Sequence, residues 1–157
     1  MSVSVQAMDF DVGKEIAALY AGAHDVGAVA NFVGVVRGPD ESLPVGSDDT
    51  PPSHSLTLEH YPGMTEAALE AIVAEANARW RLHKVCVIHR VGQLKIGEQI
   101  VFVGVAAAHR GEAFAACEFI MDYLKTQAPF WKKETDQNGT RWVDAKDSDD
   151  HAAARWS

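Results

Sequence analysis

Residues 112–126 spell a helix with almost no polar surface, and Pro129 ends it. At 100° per residue, Ala113, Cys117, Ile120 and Leu124 share one face, while Phe119 and Tyr123 lie on another. Only a narrow arc of Glu118, Asp122 and Lys125 is polar. A helix this apolar is expected to be covered on two sides.

The remaining sequence offers elements to cover it. Val3 to Ala7 alternates as a short strand, and Asp9 or Asp11 is placed to cap a helix to about Ala21 with Ile16, Leu19 and Tyr20 inward. A small, β-branched run over 27–36 has strand length. Residues 38–53 then turn rich in Pro, Gly and acidic or hydroxyl side chains, which predicts a mobile surface loop and a lid beside Arg37. Ser55 to His60 alternates again, and Pro62-Gly63 supplies a turn. Thr65 is placed to cap a helix to about Trp80 with Leu69, Ile72, Val73 and Ala76 as its stripe. The β-prone runs 84–91 and 99–108, joined by a short Gly-containing turn, predict an antiparallel pair. Beyond Pro129, 130–135 and 140–145 flank Asn138-Gly139, the dipeptide of a type I′ hairpin. Asp147 or Ser148 could cap a last helix to Trp156. Strands and helices mix without strict βαβ alternation, so the expected class is α+β, in one domain spanning 1–157.

Composition narrows the function. A net charge of −8 argues against a general nucleic-acid binder, which needs a basic face, but leaves room for a local basic pocket. Only Cys86 and Cys117 are present, both in apolar runs, so a disulfide scaffold is not expected and a reducing cytoplasm fits. No signal-peptide layout or membrane-spanning apolar run stands out. H-E-x-x-H, Cys-x-x-Cys and phosphate-loop glycines are missing, so Glu59-His60, His89 and His109 are not expected to bind metal.

Lys125 and Lys132 are the leading candidates for chemistry. Most lysines are solvated surface charges, but Lys125 sits on a nearly apolar helix and Lys132 follows Phe130-Trp131, whose rings call for burial. Beside apolar walls an ammonium loses solvation, its pKa tends to fall, and the amine can act as acid, base or acyl-directed nucleophile. His109-Arg110 falls where a strand gives way to a helix, a seat for an anion or merely a capping pair. Arg37 closes an apolar strand and can point into a cleft. Along the extended segment Lys132 and Glu134 share one side and Lys133 faces the other, so Glu134 could position Lys132. Neither cysteine has a basic neighbour in sequence to activate it, so both read as buried structural thiols.

Four blocks, in order, resemble the large catalytic subunit of molybdopterin synthase. They are Asn31-Phe32-Val33-Gly34-Val35-Val36-Arg37, Leu58-Glu59-His60-Tyr61-Pro62-Gly63-Met64-Thr65, Val103-Gly104-Val105-Ala106-Ala107-Ala108-His109-Arg110, and the run from Phe119 to Glu134. The resemblance implies an α/β hammerhead-type fold with an added antiparallel β subdomain. It implies conversion of a cyclic pyranopterin monophosphate to molybdopterin, in molybdenum cofactor biosynthesis. Sulfur would come from the thiocarboxylated Gly-Gly C-terminus of a small ubiquitin-like partner, with no resident cofactor. It further implies a homodimer that carries a partner at each end, a heterotetramer. Lys125 and Lys132 match the family's catalytic positions, and Val35, Val36, Arg37, His109 and Arg110 match substrate-binding ones; Lys133, Glu134 and Arg141 are secondary binding candidates. The 38–53 loop looks longer and more acidic than the family's. Two other classes stand beside this one: a module that only docks a ubiquitin-like tail, and an unrelated acyl- or phosphoryl-handling enzyme.

Overall fold

Two four-stranded sheets organise the described residues. In this computed structural model the described residues are 2–38, 55–136, 139–143 and 147–157. The elements run β1 (Ser2–Gln6), α1 (Val12–Tyr20), β2 (Ala28–Val35), β3 (Ser55–His60), α2 (Met64–Arg79), β4 (Leu82–Arg90), β5 (Gly92–Lys95), β6 (Gln99–Ala107), α3 (Arg110–Gln127), β7 (Phe130–Asp136), β8 (Gly139–Val143) and α4 (Asp147–Ala154). The first sheet has the order β1-β4-β6-β2, with β1 parallel to β4 and the other pairs antiparallel. The second, β5-β3-β7-β8, is antiparallel throughout. No described helix is long and apolar enough to cross a membrane.

The first sheet is covered on both faces, which is why β4 and β6 read as nearly continuous apolar runs rather than alternating ones. Alternation along the strands sends Cys86, Ile88, Phe102 and Ala106 to one side, where they pack on Leu19 of α1. It sends Val85, Val87, Val103 and Val105 to the other, against α2 and α3. There the α3 stripe of Ala113, Cys117, Ile120 and Leu124 is buried as its spacing predicts, and Phe119 joins it. Gly104 sets how closely α1 approaches, since a Cβ there would fall 2.6 Å from a Leu19 methyl and 2.8 Å from the Phe102 ring. The second sheet has a smaller apolar face, Leu58 and Leu94 with Val36.

Several local expectations are corrected. Asp11 does cap α1, accepting from the Lys14 N–H at 3.1 Å, but Tyr20 is half exposed because the buried face centres on Leu19. The α2 cap is Gly63, not Thr65: Gly63 takes a φ of +87°, and its N–H donates to the Glu66 carboxylate. Thr65, fully buried, instead accepts from the Tyr61 N–H at 2.9 Å and donates to the Pro129 carbonyl at 3.0 Å. It thereby ties the start of α2 to the segment leaving α3. The link between β4 and β6 is more than a turn, since it holds β5, which leaves the first sheet and pairs with β3. All but Gly38 of the expected 38–53 loop lies outside the described residues, as does Asn138 of the expected hairpin turn. The side chains of Asp147 and Ser148 also lie outside them.

The polar arc of α3 receives the C-terminus. Arg155 donates to Glu118 at 2.6 Å and to Asp122 at 2.8 Å, and the Trp156 indole N–H donates to Asp122 at 2.6 Å. The Trp156 ring meets Trp80 and Phe119 edge-on, and Arg79 donates to its carbonyl at 2.8 Å.

Candidate functional site

A cleft of about 500 Å³ opens where the last turn of α3, the exit of β2 and the inner face of the second sheet converge. Its walls are made by the folding logic of each element. Pro129 breaks the chain out of α3, so Lys125 stands at a helix end beside the cleft rather than within a packed stripe. β7 then starts at once, and its alternation turns Phe130, Lys132 and Glu134 inward. β2 delivers Phe32 and Val35, and the residues after it, Val36 and Arg37, complete that wall. Val36 is buried and hydrogen-bonded through its backbone, its N–H to the Glu98 carbonyl and its carbonyl to the Gly97 N–H, each at 2.9 Å. Arg37 therefore leaves a fixed point of backbone.

The expected site residues separate into three groups. Lys125, Lys132, Arg37, Val35, Val36 and Glu134 all line the cleft, although they come from segments far apart in the chain. Arg141 stands directly across from Glu134 on β8 and pairs with it at 3.7 Å, on the same face of the sheet as Lys132. Lys133 faces the opposite way, bonded to Glu59 at 3.0 Å with its ammonium 4.4 Å from the centre of the Trp142 ring, so it is no part of this cleft. His109 and Arg110 lie at the other end of α3, exposed, with no side-chain cap from His109. At 1.5 Å per residue Arg110 is about 22 Å along the helix from Lys125. Trp131, expected to be buried as an anchor for Lys132, is half exposed, because it points to the outer face with Lys133.

Sequence reasoning missed His89, which it weighed only as a metal ligand. His89 is 5 % exposed, lines the cleft, and stacks on Phe130 with ring centroids 3.7 Å apart and planes 18° from parallel. Its Nδ1–H donates to the Arg90 carbonyl at 2.8 Å. Burial pushes its pKa down to about 4, and nearby Lys132, Lys125 and His60 push the same way, so the ring is neutral at neutral pH. The signal available in sequence was only that one titratable side chain interrupts the apolar face of Val85 and Val87. The cleft also takes in Met121 and Asp149, neither of which had a functional signature.

The charge balance is distinctive for a chain of −8. Among the described residues, three cations, Lys125, Lys132 and Arg37, line the cleft together with two acidic groups, Glu134, paired with Arg141, and Asp149. Apolar and aromatic surface lies between them. Such a site suits a flat, partly apolar molecule bearing an anionic group, with ammonium groups placed to transfer protons or stabilise developing negative charge. The two thiols do not enter it: Cys86 and Cys117 are unbridged and buried, and burial, first among the causes, pushes both pKa values up to about 11.

Comparison with known proteins gives the chain's family and fold. The family described as MoaE protein matches residues 5–127. The molybdopterin synthase catalytic subunit of Ralstonia nicotianae is 56% identical over 155 residues, covering 99% of this chain and 84% of the relative. The solved molybdopterin biosynthesis MoaE protein from Burkholderia ambifaria MC40-6 is 52% identical, covers 100% of this chain and 99% of its own, and superposes with a TM-score of 0.79. A solved complex of subunits 1 and 2 of molybdopterin-converting factor from Helicobacter pylori 26695 shares the fold at 22% identity, with a TM-score of 0.65 and coverage of 93% and 90%. With its family match over most of its length and a full-length relative above half identity, the chain belongs to the MoaE protein family.

Proposed function

We propose that this chain is the catalytic subunit of a molybdopterin synthase, a sulfurtransferase that converts a cyclic pyranopterin monophosphate to molybdopterin. The observation that carries the reading is the meeting of Lys125 and Lys132, from a helix end and a strand, in one cleft with Arg37. Arg37 would hold the phosphate, and the two lysines would move protons and stabilise charge at the attacked carbons. Sulfur would arrive as the thiocarboxylate at the Gly-Gly C-terminus of a small ubiquitin-like partner. Two buried, protonated thiols leave no sulfur carrier of the chain's own among its cysteines. No resident cofactor is called for, and the unbridged cysteines fit a cytoplasmic setting. The purified chain, incubated with thiocarboxylated partner and the cyclic precursor, should form molybdopterin; absence of product with an intact partner overturns the reading.

A homodimer, and with the partner a heterotetramer, belongs to the same reading. His109 and Arg110 are too far along α3 to reach the cleft that holds Lys125 of their own chain, so a substrate role for them requires a second copy. Co-expressed Arg110→Ala and Lys125→Ala chains should then recover activity that neither has alone. Mixed dimers as inactive as the parents would return His109-Arg110 to a purely local role.

A further inference from the structure

One polar atom of a residue in the cleft wall has no partner among the described residues. His89 commits Nδ1–H to the Arg90 carbonyl, so in the neutral ring Nε2 carries a lone pair and no proton. Among the described residues nothing donates to that nitrogen, although the side chain is more than nine-tenths buried. A buried acceptor left unsatisfied costs stability, and a stacked phenylalanine would fill the same space against Phe130 without that cost. The ring cannot meet the cost by protonating, because burial and the neighbouring Lys132, Lys125 and His60 hold it neutral. Of the charged side chains that line the same cleft, Lys125, Lys132 and Arg37 offer only N–H groups, and Glu134 and Asp149 offer only anionic acceptors, so His89 supplies a neutral one.

We propose that His89 is a substrate-binding residue whose Nε2 accepts a hydrogen bond from a ring N–H of the bound heterocycle and so fixes that ring's register between Lys125 and Lys132. The proposal rests on the pterin reading above, and it names the part of the site that recognises the ring rather than the phosphate. A flat heterocycle carrying N–H donors is the ligand class that uses such an atom. A ligand with no N–H or O–H donor would leave it unpaired. Phe130, stacked on the imidazole, fixes the plane of the ring, and the Nδ1–H bond to the Arg90 carbonyl keeps it from flipping Nε2 away.

The test compares three substitutions. His89→Phe keeps the stacked ring and removes the acceptor. His89→Gln gives up the ring but can place an amide oxygen near the Nε2 position. His89→Asn can repeat the donor to Arg90 and has no atom where Nε2 stood. Each is assayed with thiocarboxylated partner for precursor KM and kcat, beside thermal unfolding and partner titration. Loss of one well-placed acceptor for a substrate N–H costs on the order of tenfold or more in kcat/KM. His89→Phe and His89→Asn should show that loss mainly in KM, with partner affinity unchanged, and His89→Gln should recover part of it. The activity order Gln above Phe should oppose the stability order, Phe at or above Gln. Should the Phe chain not fold, Asn against Gln reads the same contrast. If activity simply follows stability, or if Phe matches the parent because water alone fills the position, His89 is a structural ring and the proposal fails. If the parent itself makes no molybdopterin, it is the pterin reading that fails.

Discussion

Replacing His89 with Phe should flatten the acid side of the stability curve. The imidazole titrates at about 4 in the folded chain against 6.5 when free, with burial as the main cause. The hydrogen bond to the Arg90 carbonyl, next in size after burial, works the other way, while Lys132 on β7, Lys125 on α3 and His60 on β3 add to the opposition to its protonation. Between those two values the unfolded chain holds the proton more readily, so stability is present above pH 6.5 and drains away as pH falls toward 4. A drop from 6.5 to about 4, at about 1.4 kcal/mol per unit, is worth about 3 kcal/mol in full. About 2 kcal/mol of it has gone by pH 5.

Urea unfolding of parent and His89→Phe at pH 7.5 and pH 5 isolates this term. The variant loses the bond to the Arg90 carbonyl at both pH values, and the carboxylates that titrate near pH 5 are common to both chains. Whatever separates the two at pH 7.5 should therefore shift by about 2 kcal/mol in the variant's favour at pH 5. A separation unchanged to within about 0.5 kcal/mol, far below that expectation, would mean that folded His89 protonates near its free value. Its wall of the cleft would then be wet, and the buried, neutral ring argued above would not exist.

Lys125→Ala should leave unfolding nearly unchanged, because the side chain is exposed at a helix end, yet slow single-turnover product formation by about 10²-fold or more at saturating partner; turnover within about threefold of the parent would remove it from the chemistry. Replacing Cys86 and Cys117 together by Ala should cost on the order of 1–3 kcal/mol in denaturant unfolding and leave product formation intact; a folded but inactive double variant would route sulfur through this chain. Asp122→Ala removes the acceptor shared by Arg155 and Trp156, and should lower the unfolding midpoint and expose Trp156 to fluorescence quenchers. An unchanged emission and midpoint would show that the C-terminus is held by its aromatic contacts alone.

What was legible in the sequence follows the range of the interactions involved. The α3 stripe, its stop at Pro129 and the inward side of Lys132 and Glu134 are set by neighbours in the chain, and they stand where periodicity puts them. β5 was not legible because its four residues carry a single buried apolar side chain, Leu94, and its partner β3 precedes it by a whole helix and strand. With β5 missed, periodicity alone did not divide the strands into two sheets; the added antiparallel β subdomain came only from the family resemblance, and the wall that His89 gives the cleft came from neither. Thr65 shows the same limit: its type and place suited a cap, but a buried hydroxyl is claimed by the strongest partners available, here the Tyr61 N–H and the Pro129 carbonyl. His89 is the sharpest case. Its alternation with Val85 and Val87 was visible, but its meaning depends on Phe130 arriving from β7 and on lysines brought from two other segments. A pattern of local spacing can place a side chain on a face; only the long-range pairing of β3 with β7 decides that this face looks into a cationic cleft.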